Sequence, residues 1–405
     1  MKKPIQFLQV EGRSPAYYGL LALFGAIVLV GLWAFYQMEH NGHHITGMNN
    51  QIVWGMPHVF AIFLIVAASG ALNIASISSV FDKAAYKPLA PLSGLLSLAL
   101  LAGGLMVLVL DLGRPERLIV AMTYYNFKSI FAWNIILYNG FFAIVIVYLW
   151  TLMAPSMKKY TKAAGTFAFV WRLTLTTGTG SIFGFLVARE AYDAAIMAPM
   201  FIIMSFSFGL AIFLLVLMAA YKWTERPLGD ALFKRLKNLL GVFVAAVLYF
   251  VIAYHLTNLY ATQHHGVEDF VLRSGEVFTD LFWYVQILLG SLVPLALIYH
   301  PATGKSRTAI GLASILIIIG GIAQLYIIII GGQAFPMEIF PGKEVIETTF
   351  ADGAINSYSP SLNEVLLGIS GIAVSLAIVT FAVKVLHFLP ASLADADVDP
   401  HHKAA

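Results

Sequence analysis

The chain has 405 residues, of which 60% are hydrophobic and 11% charged, against roughly 45–50% and about 25% in an average soluble domain. That balance excludes a soluble globular protein, and 33 Gly and 16 Pro dispersed among long apolar runs exclude disorder and fibre as well. The net charge of +3 leaves no basic footprint, so nucleic acid is not an expected partner, and the absence of cysteine removes iron–sulfur ligands, thioether-linked haem and disulfides.

Apolar stretches of the roughly 20 residues that cross a bilayer recur along the chain. They predict an all-α integral membrane protein with ten transmembrane helices: Ala16 to Gln37, Trp54 to Val80, Leu89 to Leu110, Ile130 to Met153, Ala163 to Ala188, Ala194 to Ala220, Leu239 to Ala261, Glu276 to Tyr299, Thr308 to Gly331 and Asn363 to His387. The runs are too long and continuous for barrel strands. Lys2 and Lys3 precede the first run, but it is longer than a signal-peptide core and no cleavage pattern follows, so it reads as a retained span.

In chain order, the turn after the first span carries His40, His43 and His44, without clear carboxylate support for a metal, and reads as solvated. His58 opens the second span just after Pro57. Positions 58, 62, 65, 69, 73 and 76 share one helical face. Either His58 accepts protons at the outer end of a track through Ser69, Asn73 and Ser76, or it is a hydrogen-bonded core histidine above small packing residues. The third span ends in Asp111-Leu112-Gly113-Arg114-Pro115-Glu116-Arg117, followed by Tyr124, Tyr125 and Asn126. Here Asp111 can pair with Arg114 or Arg117 at the membrane boundary, or the carboxylate, guanidinium and phenols can bind the carbonyl oxygens of a quinone.

Arg172, inside the fifth span with Thr176 and Thr179 on its face, either snorkels to the nearer surface or joins an inner polar path. Gly180, Gly184 and Ala188 are spaced for a close helix contact, and Arg189 to Asp193 for a salt-bridged turn. His255 in the seventh span lies about as deep as His58, and the two would be the axial pair if a b-type haem were bound. Depth alone supports that, so no metal or haem on this chain is expected. The connection from Gly332 to Leu362 is the longest. Its segment from Phe335 to Pro341 is patterned to lie over another surface, either a partner or the chain itself.

Counted by side, 17 Lys and Arg fall with the two termini and 6 on the opposite face. The positive-inside rule then makes both termini cytoplasmic. Spans two to five (53–190) and six to nine (194–331) permit two parallel four-helix units within one membrane domain over 1–405, with residues 332–362 as a periplasmic loop.

The sequences Trp54-Gly55-Met56-Pro57-His58, Asp111-Leu112-Gly113-Arg114-Pro115, Tyr124-Tyr125-Asn126-Phe127-Lys128-Ser129 and Gly331-Gly332-Gln333-Ala334-Phe335-Pro336 together resemble the NrfD-like polysulfide-reductase membrane-anchor family. The ten-span form is most similar to the P subunits of Dsr sulfur-metabolism complexes, over nearly the whole chain. The resemblance implies a quinone-reactive subunit of the bacterial inner membrane, binding menaquinone or ubiquinone near the periplasmic face of the first unit. His58 would exchange the proton, Asp111 and Arg114 would be its neighbours, and Tyr124 and Tyr125 would line the site. Ser69, Asn73, Ser76, Arg172 and Thr176 would continue proton transfer inward. It further implies a periplasmic ferredoxin-like iron–sulfur partner, with a haem-b membrane subunit, a multihaem cytochrome c and a cytoplasmic heterodisulfide-reductase-like subunit in the same complex. Competing readings are a secondary transporter and a purely structural anchor.

Overall fold

Long helices follow one another in the computed structural model, which describes residues 5–337 and 354–399. They are α1 (Pro15–Asn41), α2 (Met56–Ser79), α3 (Ala84–Leu110), α4 (Ile130–Met153), α5 (Thr161–Ile182), α6 (Met197–Trp223), α7 (Asp230–Tyr260), α8 (Val277–Tyr299), α9 (Arg307–Ala334) and α10 (Leu362–Val385). Among the described residues nine of these, all but α5, are long and apolar enough to cross a membrane. The chain is a multi-pass, all-α integral membrane protein. In α5, Lys162, Arg172 and a run of threonines dilute the apolar residues. The only sheet among the described residues pairs β1 (Phe7–Leu8) antiparallel with β2 (Leu389–Pro390), which brings the two ends of the chain together. That end is called the terminal face here, and the other the far face.

The most buried helix is α2, which packs on α3, α6 and α10. Its crossing with α6 is backbone to backbone. A methyl group on Gly70 would sit 1.6 Å from the Ser205 carbonyl oxygen, and one on Gly209 2.2 Å from the Ala71 nitrogen. In a bilayer, where apolar side chains gain little by leaving lipid for protein, such close approach supplies the dispersion contact that holds helices together. From α2 to α5 each helix packs on the next, and α5 returns to both α2 and α6. Helices α6 to α9 are joined in the same sequential way, and α9 returns to α6. The first helix, α1, lies outermost, against α10.

Several observed ends differ from the expected ones. The fifth helix stops at Ile182 rather than Ala188, and residues 183–196 turn back over the far face. Gly180 still makes the expected close contact, with Met197 and Ala198 at the start of α6. Helix α7 begins at Asp230 rather than Leu239, because its first turns lie on the terminal face, where Arg307 pairs with Asp230 and Arg235 with Asp399. Helix α9 runs on to Ala334, so the long connection starts at Phe335. Its middle, including Phe340 and Glu344, lies outside the described residues. Its described end returns to this chain, with Asn356 N–H donating to the Ala334 carbonyl at 3.0 Å.

Candidate functional site

Pro57 sits in the first turn of α2, where its missing N–H costs nothing and its fixed φ favours the helix. That places His58 at the far face. On the neighbouring helix Asp111 is the residue at which α3 ends, before Gly113 and Pro115 break the chain away. The two side chains meet, with His58 Nδ1 and Asp111 Oδ2 3.0 Å apart. The Asp111 carboxylate is buried and its other oxygen, Oδ1, has no hydrogen-bond partner. With Asp111 ionised, Nδ1 carries the ring proton toward it, and Nε2 is left as the basic nitrogen.

Trp54 stacks on the His58 ring, with centroids 5.7 Å apart and planes 16° apart. It is boxed in turn by Phe131, Phe183 and Tyr192. Gln333 fixes its backbone. The Gln333 carboxamide oxygen accepts from Val53 N–H at 2.9 Å and Trp54 N–H at 3.0 Å, while its Nε2 donates to the carbonyls of Trp54 (3.0 Å) and Ile329 (2.8 Å). Arg189 caps the carbonyls of Gln333 and Gln51, both at 3.0 Å, and burial lowers its guanidinium pKa. Tyr358 accepts from Met56 N–H at 2.7 Å and donates to Glu364 at 2.6 Å. Burial and that carboxylate push the Tyr358 phenol far up. The start of α2 is thus held from α9, α10 and the 183–196 turn.

The remaining expected site residues are dispersed. Arg114 and Arg117 are exposed, and neither pairs with Asp111. The expected boundary ion pair is replaced by the His58 contact, because the turn at Gly113 points the chain outward. Tyr124 is 82% exposed, and Tyr125 stacks on Phe127. No hydrogen bond brings either tyrosine to His58.

Deeper in the membrane, Arg172 is 0% exposed and does not snorkel. Its Nη2 donates to Asn73 Oδ1 at 2.9 Å and its guanidinium lies over the rings of Phe169 and Phe206, while Nε and Nη1 have no partner. Thr176 Oγ1 lies 2.6 Å from Ser69 Oγ, and Ser69 donates to the Arg172 carbonyl. These four residues form one buried polar cluster. Ser76 stays outside it, donating to Leu72 within its own helix. Between His58 and Ser69 the shared face carries the buried apolar residues Ile62 and Ile65, so about 16 Å of helix separates the two polar groups.

Elsewhere on the far face, His255 does not stand alone either, since its Nδ1 lies 2.7 Å from Glu268 Oε2. A cavity of about 40 Å³ lies beside this pair. It has room for about three waters. His43 pairs at 3.8 Å with Glu39, and among the described residues no three His, Asp or Glu side chains gather as metal ligands. Gln333 and Glu268 were not singled out by sequence reasoning. The only signal for the first is the motif from Gly331 to Pro336, and for the second an acid 13 residues after a membrane histidine.

Residues 44–337 match the family model described as polysulphide reductase, NrfD. The Hdr-like menaquinol oxidoreductase integral membrane subunit of Archaeoglobus fulgidus is 28% identical over 388 residues, covering 95% of this chain and 97% of the relative. A selenate reductase subunit of Mesobacillus selenatarsenatis is 24% identical, covering 87% and 91%. A putative dimethyl sulfoxide reductase membrane subunit of Halobacterium salinarum is 26% identical, covering 91% and 90%.

Proposed function

Because the chain belongs to the polysulphide reductase NrfD family, we propose that it is the quinone-reactive membrane subunit of a multi-subunit respiratory oxidoreductase, exchanging electrons between membrane quinone and a periplasmic iron–sulfur subunit in sulfur-compound metabolism. The observation that carries this reading is the His58–Asp111 pair, a buried carboxylate with one unsatisfied oxygen beside a histidine stacked on Trp54. An unsatisfied buried carboxylate oxygen is costly, and a hydroxyl donor from a ligand would relieve it.

When bound, a quinol supplies two electrons and two protons. His58 takes the proton at Nε2, Asp111 stabilises the imidazolium formed, and Trp54, stacked on the imidazole, holds that ring in place. Arg114, Tyr124 and Tyr125 are assigned to this site by the motifs they belong to, on the 113–129 segment that follows Asp111, whose short helix Leu118–Thr123 has no buried residue. The cluster of Ser69, Asn73, Arg172 and Thr176 serves proton movement deeper in the membrane. Electrons leave the chain, since it has no cysteine to hold a cluster.

The relative named as a menaquinol oxidoreductase subunit supports menaquinone as the quinone and a heterodisulfide-reductase-like subunit as a cytoplasmic partner. The haem-b and multihaem cytochrome c subunits of Dsr-type complexes complete the proposed assembly. The charge asymmetry of 17 against 6 supports cytoplasmic termini in the bacterial inner membrane, and a far face that is periplasmic. Helices α2 to α5 and α6 to α9 form the two four-helix units of this reading. It is tested by extracting and quantifying menaquinone from the purified protein and from Asp111→Asn. Depleted quinone in the variant is expected, and equal occupancy would overturn the assignment.

A further inference from the structure

We propose a second protonatable site, independent of the quinone reading: the Glu268–His255 pair holds a proton at the mouth of a hydrated cavity that leads inward past Gln286 and Gln324. Glu268 lies in the connection between α7 and α8, yet it is only 1% exposed. Its Oε2 meets His255 Nδ1 at 2.7 Å and its Oε1 accepts from Asn258 Nδ2 at 2.9 Å. The Glu268 carboxylate therefore makes no ion pair with Lys or Arg among the described residues. A lone charge in such surroundings is expensive. One proton shared between carboxylate and imidazole cancels it.

The space beside the pair is where water would sit. The cavity of about 40 Å³ is walled by Glu268, His255, Gln286 and Gln324 among apolar side chains, with room for about three waters. Gln324 is 3% exposed and its Nε2 has no hydrogen-bond partner, so the protein alone leaves a donor unsatisfied that a cavity water would satisfy. Gln286 and Gln324 also line a second void of about 10 Å³, bounded by Ser207 and Ser291. The polar groups thus continue from the far face toward the interior. Irregular helix makes this room. The stretches Leu281–Leu292 and Ile327–Gly331 are π-helical, and Ser291 Oγ donates to the Gln286 carbonyl at 3.0 Å, five residues back. The wider turn displaces side chains from the regular helical register, a departure frequent at functional sites.

The ionisable residues lining the cavity are Tyr254 and His255 from α7 and Glu268; the walls from α6, α8 and α9 contribute none. The phenol of Tyr254 is directed to the Ala191 carbonyl at 3.4 Å, which leaves the acid–imidazole pair to take up the proton.

The test is infrared difference spectroscopy of the full chain in vesicles of phosphatidylethanolamine and phosphatidylglycerol, titrated with pH in H2O and D2O without added quinone. A titrating, D2O-shifted carboxyl or carboxylate band is expected in the wild type, lost in Glu268→Gln and altered in His255→Gln, with imidazole bands lost in the latter. Gln324→Leu, which removes the unsatisfied amide, is expected to slow D2O exchange at this band. No band assignable to Glu268, or one whose D2O exchange is as fast in Gln324→Leu as in the wild type, would overturn the proposal. Helical amide bands of wild-type shape establish that each variant is folded. Since no quinone takes part, failure of the His58 assignment would leave this result unchanged.

Discussion

Asp111 and His58, 53 positions apart in sequence, meet at 3.0 Å where α3 ends and α2 begins. The contact takes Asp111 away from the arginines that follow it and leaves its second oxygen buried and unsatisfied. Glu116, by contrast, lies exposed in the turn Pro115–Arg117. Asp111→Asn is therefore expected to lower quinol turnover by about a hundredfold or more, the usual cost of impairing a general base, while Glu116→Gln leaves it nearly unchanged. Steady-state quinol oxidation by the assembled complex checks this, and equal effects would assign both residues to loop folding.

Gln333 makes four hydrogen bonds that fix Trp54 and the end of α9. Gln333→Leu strips acceptors from Val53 and Trp54 N–H, at about 1–3 kcal/mol for each group left buried. Hydrogen exchange at these two amides is expected to accelerate, and turnover to fall, with the helices elsewhere still protected. Unchanged exchange at Val53 and Trp54 would show that the clamp does not hold.

The architecture was legible in the sequence because a bilayer imposes a length and a composition on each span. Helices α2, α3 and α4 start or end within a few residues of expectation for that reason. The Asp111 partner was not legible. Local order places Arg114 and Arg117 nearest, and only the packing of α2 on α3 puts His58 closer. Arg172 left two outcomes open because a long side chain ten residues deep can reach either way, and the rings of Phe169 and Phe206 settle it inward. The roles of Gln333, Gln286 and Gln324 were hidden, since an amide in a span has no local signature and depends on neighbours from distant helices.

Arg172 donates to a neutral partner, Asn73 Oδ1, at 2.9 Å. Asn73→Asp would set a carboxylate there, and a buried guanidinium gains more from a charged acceptor than from an amide. A rise in thermal stability on the order of 1 kcal/mol is expected, with slower turnover if this cluster carries protons. Melting in detergent checks the first part, and a lower melting temperature would contradict it.

The Tyr358 phenol, outside the helices, has its pKa raised by burial first and by the Glu364 contact second. A raised folded pKa means stability that is complete below the unfolded tyrosine value near about 10 and is lost as pH rises beyond it. Tyr358→Phe should therefore be less stable than the wild type at neutral pH, and the gap should narrow as pH rises above about 10. Melting curves of the two proteins across that range check it, and a gap independent of pH would contradict the linkage.

Proton exchange with a bound quinol at His58 is tested by menaquinol oxidation in the assembled complex carrying His58→Ala. The complex is expected to assemble with its full set of subunits and to lose turnover by about a hundredfold or more. An assembled His58→Ala complex that oxidises menaquinol at the wild-type rate would contradict it.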